Sequence, residues 1–94
     1  MPYISQKRRE ALDDLFGNPM SDEHVETSGE LNYLFTKLSL EYVNWKKYVG
    51  DRDDYSYNDL NDVVGALEGA KAEFQRRIVT PYEDRKIHEN GDVY

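Results

Sequence analysis

The chain has 94 residues, of which 38% are hydrophobic and 33% are charged, and its formal net charge is −7 at pH 7. A chain of this length forms one small domain, residues 1–94, and buries only roughly two thirds of its unfolded surface, which leaves a thin margin of stability. It contains no cysteine, which excludes both a disulfide framework and a thiolate zinc site. Because its aromatic residues can anchor a core, we expect a folded protein that oligomerisation stabilises further.

Localisation and nucleic-acid binding are both constrained by where apolar and charged residues lie. No run approaches the ~20 apolar residues that span a bilayer, and residues 1–10 lack the apolar stretch of a signal peptide. We therefore expect a cytoplasmic protein without a membrane segment. Seven acidic residues and no Lys or Arg lie between Glu10 and Thr36. This negative stretch disfavours generic nucleic-acid binding.

Capping signals divide the chain into four predicted helices. Thr27 and Glu30 fit a capping box, in which the hydroxyl and the carboxylate each accept from the other end of the first turn. Stop signals lie at 17–19 and at Gly50, and residues 17–26 are expected to form an acidic connector. The predicted helices run from Ser5 to about Phe16, from Thr27 to Val49, from Ser56 or Asn58 to about Val79, and from Pro81 to about Glu89.

The second predicted helix carries apolar residues on two faces. One face has spacing 4-3-4-3-4, typical of a helix that packs lengthwise against another, and we expect it in the intramolecular core. Its residues are Leu31, Phe35, Leu38, Tyr42, Trp45 and Val49. Tyr33, Leu40 and Val43 project from roughly the opposite side, where they suit a partner subunit.

The third predicted helix repeats this pattern, with apolar residues at Leu60, Val64, Leu67, Phe74 and Ile78. Two long helices joined by a short turn indicate an all-α fold: an antiparallel hairpin with a short helix at each end. Within the third helix, Gly65 and Gly69 cost about 1 kcal/mol each relative to Ala unless close packing recovers it. We therefore assign Tyr33, Leu40, Val43, Gly65 and Gly69 to a candidate homo-oligomer interface.

A second capping box, Thr80 to Glu83 with Pro81 at the first helical position, predicts that the long helix ends or kinks there. Asn90 and Gly91 predict the final helix end. Cationic and aromatic residues surround this junction and form a candidate ligand or partner site: Arg76, Arg77, Tyr82, Arg85 and Lys86. The arginines either pair with nearby acids such as Glu73, or join the others to hold a phosphate or carboxylate.

Catalytic and metal-binding patterns do not match the chain. The aspartates at 51, 53, 59 and 62 fit some positions of a calcium-binding EF-hand loop, but Ser56 replaces the required Gly and Asp62 the bidentate Glu. No nucleophile context such as G-x-S-x-G is present. We expect neither a metal, nor a cofactor, nor enzymatic activity.

Several blocks of sequence resemble a known family. They are Met1–Ile4, Gly29–Tyr33 (GELNY), Val63–Glu68, Glu73–Arg77 (EFQRR), Pro81–Asp84 (PYED) and Asn90–Tyr94 (NGDVY). Together they are similar to a family of small uncharacterised proteins encoded by bacteriophages, prophages and bacteria. The family has no assigned activity, so the resemblance implies an origin and no mechanism.

These observations favour a phage-type accessory protein that works by binding and antagonises a host defence system. In one version the protein blocks a host protein through its acidic surface, as a mimic of nucleic acid. In the other, a homo-oligomer sequesters a nucleotide-like anion through the cationic residues near Pro81. The alternative is a structural, assembly or regulatory protein of the phage.

Overall fold

A computed structural model describes residues 4–16 and 23–94, and this part of the chain is helical, with no strand in it. The helices are α1 (Gln6–Phe16), α2 (Ser28–Val49), α3 (Tyr57–Phe74) and α4 (Thr80–Asn90), with a π-helical segment, Gln75–Val79, between α3 and α4. The all-α class is confirmed. The predicted stop at 17–19 and most of the acidic connector lie outside the described residues. By its internal contacts the chain divides into two units, Met1–Leu31 and Asn32–Tyr94.

Hydroxyl side chains begin three helices. The Ser5 and Thr27 hydroxyls accept from the amides of Arg8 and Glu30, at 3.2 and 3.1 Å. Ser56 accepts from the Asp59 amide at 3.3 Å, so Ser56, not Asn58, caps α3. The capping box at Thr27 forms only in part, because the Glu30 carboxylate accepts from the Glu26 amide instead of from Thr27. Each cap satisfies an amide that the helix itself leaves unpaired.

The end of α2 is a Schellman motif. The Arg52 amide donates to the Lys47 carbonyl and the Asp51 amide to the Tyr48 carbonyl, both at 3.1 Å. The left-handed residue of the motif is Asp51, with φ of 50°, and not Gly50. Gly50 has another role: a Cβ there would lie 2.8 Å from Arg52 Nε and 3.1 Å from the Lys46 carbonyl. Glycine therefore makes room for the arginine.

Arg52 joins the two long helices across this turn. Its guanidinium donates to the Asp59 carboxylate at 3.0 Å and to the Lys46 carbonyl at 3.4 Å. Asp59 is 7% exposed, which makes it one of only two buried residues in the described part of the chain. A carboxylate in such a place needs a charged partner, because an unpaired buried charge is costly. The ion pair thus ties the start of α3 to the end of α2.

Beyond the turn, α2 and α3 run antiparallel. The Tyr42 hydroxyl donates to the Asp62 carboxylate at 3.4 Å, and Val43, 5% exposed, is the only hydrophobic residue that the described chain buries. Loss of hydration and the Asp62 carboxylate raise the pKa of Tyr42, which keeps its hydroxyl protonated as the donor. The face of α2 toward α3 carries mainly small or polar residues, which are Asn32, Thr36, Ser39, Val43, Lys46 and Lys47.

The expectation that the 4-3-4-3-4 face of α2 forms the intramolecular core is therefore wrong. Leu38 and Trp45 on that face are 50% and 59% exposed. The stripe that faces α3 includes Val43 and has the same helical spacing but lies about a quarter turn away on the helix. Helical spacing identifies residues that share a face, but α2 has more than one such face. Spacing alone therefore does not show which of them packs against α3.

Of the two outcomes expected at Pro81, an end or a kink of the long helix, the end is wrong, because the helix continues through this residue. Thr80 has helical angles, φ −62° and ψ −48°, and its amide donates to the Gln75 carbonyl five residues back. No side chain caps α4, so the Thr80 capping box does not form. A proline inside a helix lacks an amide hydrogen and clashes with the carbonyl four residues back. The wider π turn just before Pro81 absorbs both defects, and the helix runs on. At the other end Gly91, with φ of 90°, ends α4 as predicted.

Replacing Arg52 with alanine should destabilise the fold. We expect Arg52→Ala to lose about 1–2 kcal/mol of unfolding free energy, because Asp59 loses its partner, while partial exposure of the arginine limits the cost. Urea unfolding followed by circular dichroism at fixed protein concentration measures it. Arg8→Ala removes the same charge from an exposed site on α1 and should change stability by less than ~0.5 kcal/mol. Equal losses in the two variants would contradict the role of the ion pair.

Gly50→Ala should act through Arg52. The added methyl group displaces the guanidinium from Asp59, so the variant should be less stable than the wild type. In an Arg52→Ala background only the 3.1 Å contact with the Lys46 carbonyl remains. The same change should then cost less than in wild type, and the restricted unfolded chain offsets part of that cost. The four proteins form a double-mutant cycle. Additive effects would show that Gly50 does not serve the arginine.

Candidate functional site

The most prominent surface of unit Asn32–Tyr94 is apolar. Large hydrophobic side chains on α2 and α3 remain exposed, most of them to about half of their surface, as at Phe35 (50%) and Val64 (61%). Single exposed apolar residues are ordinary, but a contiguous exposed patch marks an interaction site. These side chains are therefore the candidate functional surface.

The exposed residues lie on two opposite faces of the α2–α3 pair. Side chains advance about 100° per residue along a helix. The face on which Tyr42 meets Asp62, here called the α2-seam face, is formed by Phe35, Leu38, Tyr42 and Trp45 from α2 and by Asp62, Gly65 and Gly69 from α3. The other face, here called the α3-seam face, is formed by Tyr33 and Leu40 from α2 and by Leu60, Val64 and Leu67 from α3.

An open groove of about 330 Å³ lies between the helices and is lined by Asn32, Phe35, Thr36, Ser39, Val63 and Leu67. Its hydroxyls are turned away from any ligand: Thr36 and Ser39 donate to the carbonyls four residues back, at 3.0 and 2.8 Å. The groove is a gap left by small side chains on α2 and presents no convergent polar groups of the kind that orient a small molecule.

The structure separates the five residues of the predicted oligomer interface. Tyr33 and Leu40 are on the α3-seam face, whereas Gly65 and Gly69 are on the α2-seam face. Val43 lies between the faces and is buried within the chain, so it has little surface left for a second copy. In the part of the chain that the structure describes, nothing lies within 4 Å of a Cβ built on either glycine. The close packing that these glycines suggested is thus not found inside the chain.

The five cationic and aromatic residues form two groups. In the first, Arg76 donates to both Glu73 carboxylate oxygens at 3.0 Å, and Arg77 donates to one of them at 2.7 Å. Hydrogen bonding from Arg77, and next from Arg76, lowers the pKa of Glu73. Local pairing therefore describes this group.

In the second group, Arg85 and Lys86 lie over the Tyr82 ring, at 5.9 and 5.5 Å from its centre. Lys86 also contacts Glu89 at 3.4 Å. The groove beside Lys86, about 380 Å³, is lined by three acids as well, Glu83, Asp84 and Asp92. Within the described residues, no hydrogen bond, ion pair or ring contact joins the two groups. The surroundings of Lys86 are thus poorly suited to an anion.

Sequence reasoning missed two features of the interior. The Arg52–Asp59 pair had a usable signal, because an acid three residues after the capping Ser56 lies at the helix start, where the preceding turn supplies a cation. The core stripe around Val43 had no such signal, since its small polar residues do not form a recognisable hydrophobic pattern.

In the described ranges, 4–16 and 23–94, no group of three or more acidic or histidine side chains is placed to hold a metal ion. No helix in these ranges is both long and apolar enough to cross a bilayer.

The Glu73 contacts should make stability depend on acid. The folded-state pKa lies below its ordinary value of 4.5, so the contribution is complete above that pH and is lost as pH falls through the folded value. We expect wild type to have a higher Tm than Glu73→Gln at pH 7 and the two values to converge as pH falls through the folded-state pKa of Glu73. Thermal unfolding at a series of pH values tests this, with Glu68→Gln, an exposed glutamate of α3, as the control. A gap that persists in acid would contradict it.

Comparison with known proteins adds a family. A domain of unknown function, DUF6899, matches residues 1–93. No curated protein and no solved structure matches the chain. The match covers nearly the whole sequence, and the expectation of a family without an assigned activity is confirmed at that level. The chain belongs to the DUF6899 family.

Proposed function

We propose that this chain is a non-enzymatic accessory protein of phage type that binds a host protein and thereby antagonises a host defence system. It does so as a homo-oligomer in the host cytoplasm. The observation that carries the proposal is the α3-seam face, an exposed row of apolar side chains on two helices. Such a face fits the surface of another protein.

The chemistry of this face favours a protein partner. Leu60, Val64 and Leu67 repeat at helical spacing on α3, and Tyr33 and Leu40 add to them from α2. An amphipathic helix that docks in a groove is anchored by side chains at this spacing. Tyrosine adds large contact area with a polar end, and aromatic residues are enriched at interfaces for that reason.

Sequestration of a nucleotide-like anion has weaker support. Arg76 and Arg77 share Glu73, and Lys86 pairs with Glu89 beside three further acids. An anion would have to displace these carboxylates and would meet a repulsive surface. The protein-blocking version therefore agrees better with the arrangement of charges.

Val64→Lys should abolish antagonism. A charge placed among the apolar side chains of the α3-seam face would be desolvated on binding, which prevents association. We expect wild-type protein, expressed in bacterial strains that each carry one defence system, to restore plating of a sensitive phage on at least one strain. Val64→Lys should leave that strain resistant.

Asn61→Lys is the matched control, because it adds the same charge to an exposed polar site of α3, and it should retain activity. Rescue of no strain, or rescue by Val64→Lys equal to wild type, would contradict the proposal. Calorimetry with a nucleotide panel separates the other version: binding heat that Arg85→Ala abolishes and Val64→Lys retains would replace the protein target with an anion.

A further inference from the structure

We infer that a second copy of this chain packs on the α2-seam face, so that large side chains of α2 in one protomer cover the bare backbone at Gly65 and Gly69 in the other. This rests on the homo-oligomer part of the proposed function and is independent of the host target. The face is self-complementary, because the same surface carries both the large side chains of α2, here called the ridge, and the bare backbone at Gly65 and Gly69, here called the flat region.

The first reason is that α2 is apolar on too many sides for the place it occupies. Leu38 and Trp45 face away from α3, while Tyr33 and Leu40 project from the other flank. A helix that is hydrophobic around most of its circumference belongs in an interior. Within one protomer α3 covers only the stripe around Val43, so the interior that α2 requires must be completed by another chain.

The second reason is area. With aromatic side chains of about 150–250 Å² each and the observed exposures, the α2-seam face offers roughly 600 Å² of apolar side-chain surface. The residues counted all lie in unit Asn32–Tyr94: the α2 members of this face, Phe35, Leu38, Tyr42 and Trp45, and the residues that extend it along the helix, Leu34 and Val49. A standard stable interface buries about 800 Å² per partner, a little over half of it apolar. This face alone is therefore enough for a stable dimer.

The third reason concerns which protein covers the face. Only Val43 and Asp59 are buried in the described chain, so a lone protomer has almost no core to hold it folded. Cover is needed whenever the chain is folded, and a second copy is the partner present at the chain's own concentration. Obligate homodimers behave in this way, with folding inseparable from association.

The fourth reason is the relief of the face. Glycine destabilises a helix interior because it loses more conformational freedom on folding than other residues. At Gly65 and Gly69 no packing among the described residues offsets this cost, since the space beside both is open. They lie on the same side of α3 as Asp62 and therefore beside Phe35 and Leu38. In a two-fold symmetric contact, the ridge of each copy meets the glycines of the other.

The test uses two leucines of one helix with nearly equal exposure, Leu38 at 50% and Leu40 at 47%. Sedimentation equilibrium of the full chain at micromolar concentrations should show a dimer or a multiple of it. Leu38→Lys should raise the dissociation constant at least about a hundredfold, as expected for a charge at an interface centre. Leu40→Lys adds the same charge on the opposite face and should leave the dissociation constant within a few-fold of wild type.

A second pair of variants keeps the test decisive if Leu38→Lys fails to fold. Gly69→Leu should dissociate the protein by filling the flat region, while Lys71→Leu, on the other side of α3, should not. A folded monomer of wild type at these concentrations would overturn the inference, as would equal effects of Leu38→Lys and Leu40→Lys. Val64→Lys should lose antagonism but keep the dimer. Failure of the host-target proposal can therefore be distinguished from failure of the dimer contact.

Discussion

Asp59 is a carboxylate buried where α3 begins, and the need to neutralise it shapes the turn around it. Arg52 reaches back across the end of α2 to meet it, and the absence of a side chain at Gly50 leaves the path open. The left-handed residue Asp51 sets the direction of the chain so that Arg52 follows. The order of residues in the turn thus serves one ion pair, and the ion pair fixes the two long helices at their joined ends.

Away from that turn little holds α2 against α3. The stripe between them offers Val43, one tyrosine hydroxyl bond and several small polar side chains, which leave an open groove. A pair of helices joined at one end and weakly packed along its length depends on what covers its faces. Burying two half-exposed large side chains contributes on the order of 2–3 kcal/mol, comparable to the ion pair itself.

Local signals predicted the helix ends well and the packing poorly. Ser5, Thr27, Ser56 and Gly91 act through hydrogen bonds and backbone angles within one turn of chain, so the sequence near each one is sufficient. The choice of core face on α2 depends instead on which residues α3 presents to it. Local signals were also insufficient at Pro81. This proline fits within the helix because of the π turn before it, and no local sequence motif predicts that turn. The predicted cationic cluster forms two separate groups because Glu73, one turn before Arg76 and Arg77, accepts hydrogen bonds from both arginines.

Charge placement decides which faces can associate. The acids that make the chain strongly negative are concentrated between Glu10 and Glu30, before the exposed apolar rows begin. Between Phe35 and Trp45 one lysine and one glutamate balance each other. Two copies that meet through this part of α2 therefore bring little charge into contact, and the remaining repulsion acts over distances that physiological salt screens, with a Debye length of about 8 Å. Repulsion between negatively charged chains thus limits association through the acidic stretch and leaves the apolar faces free to associate.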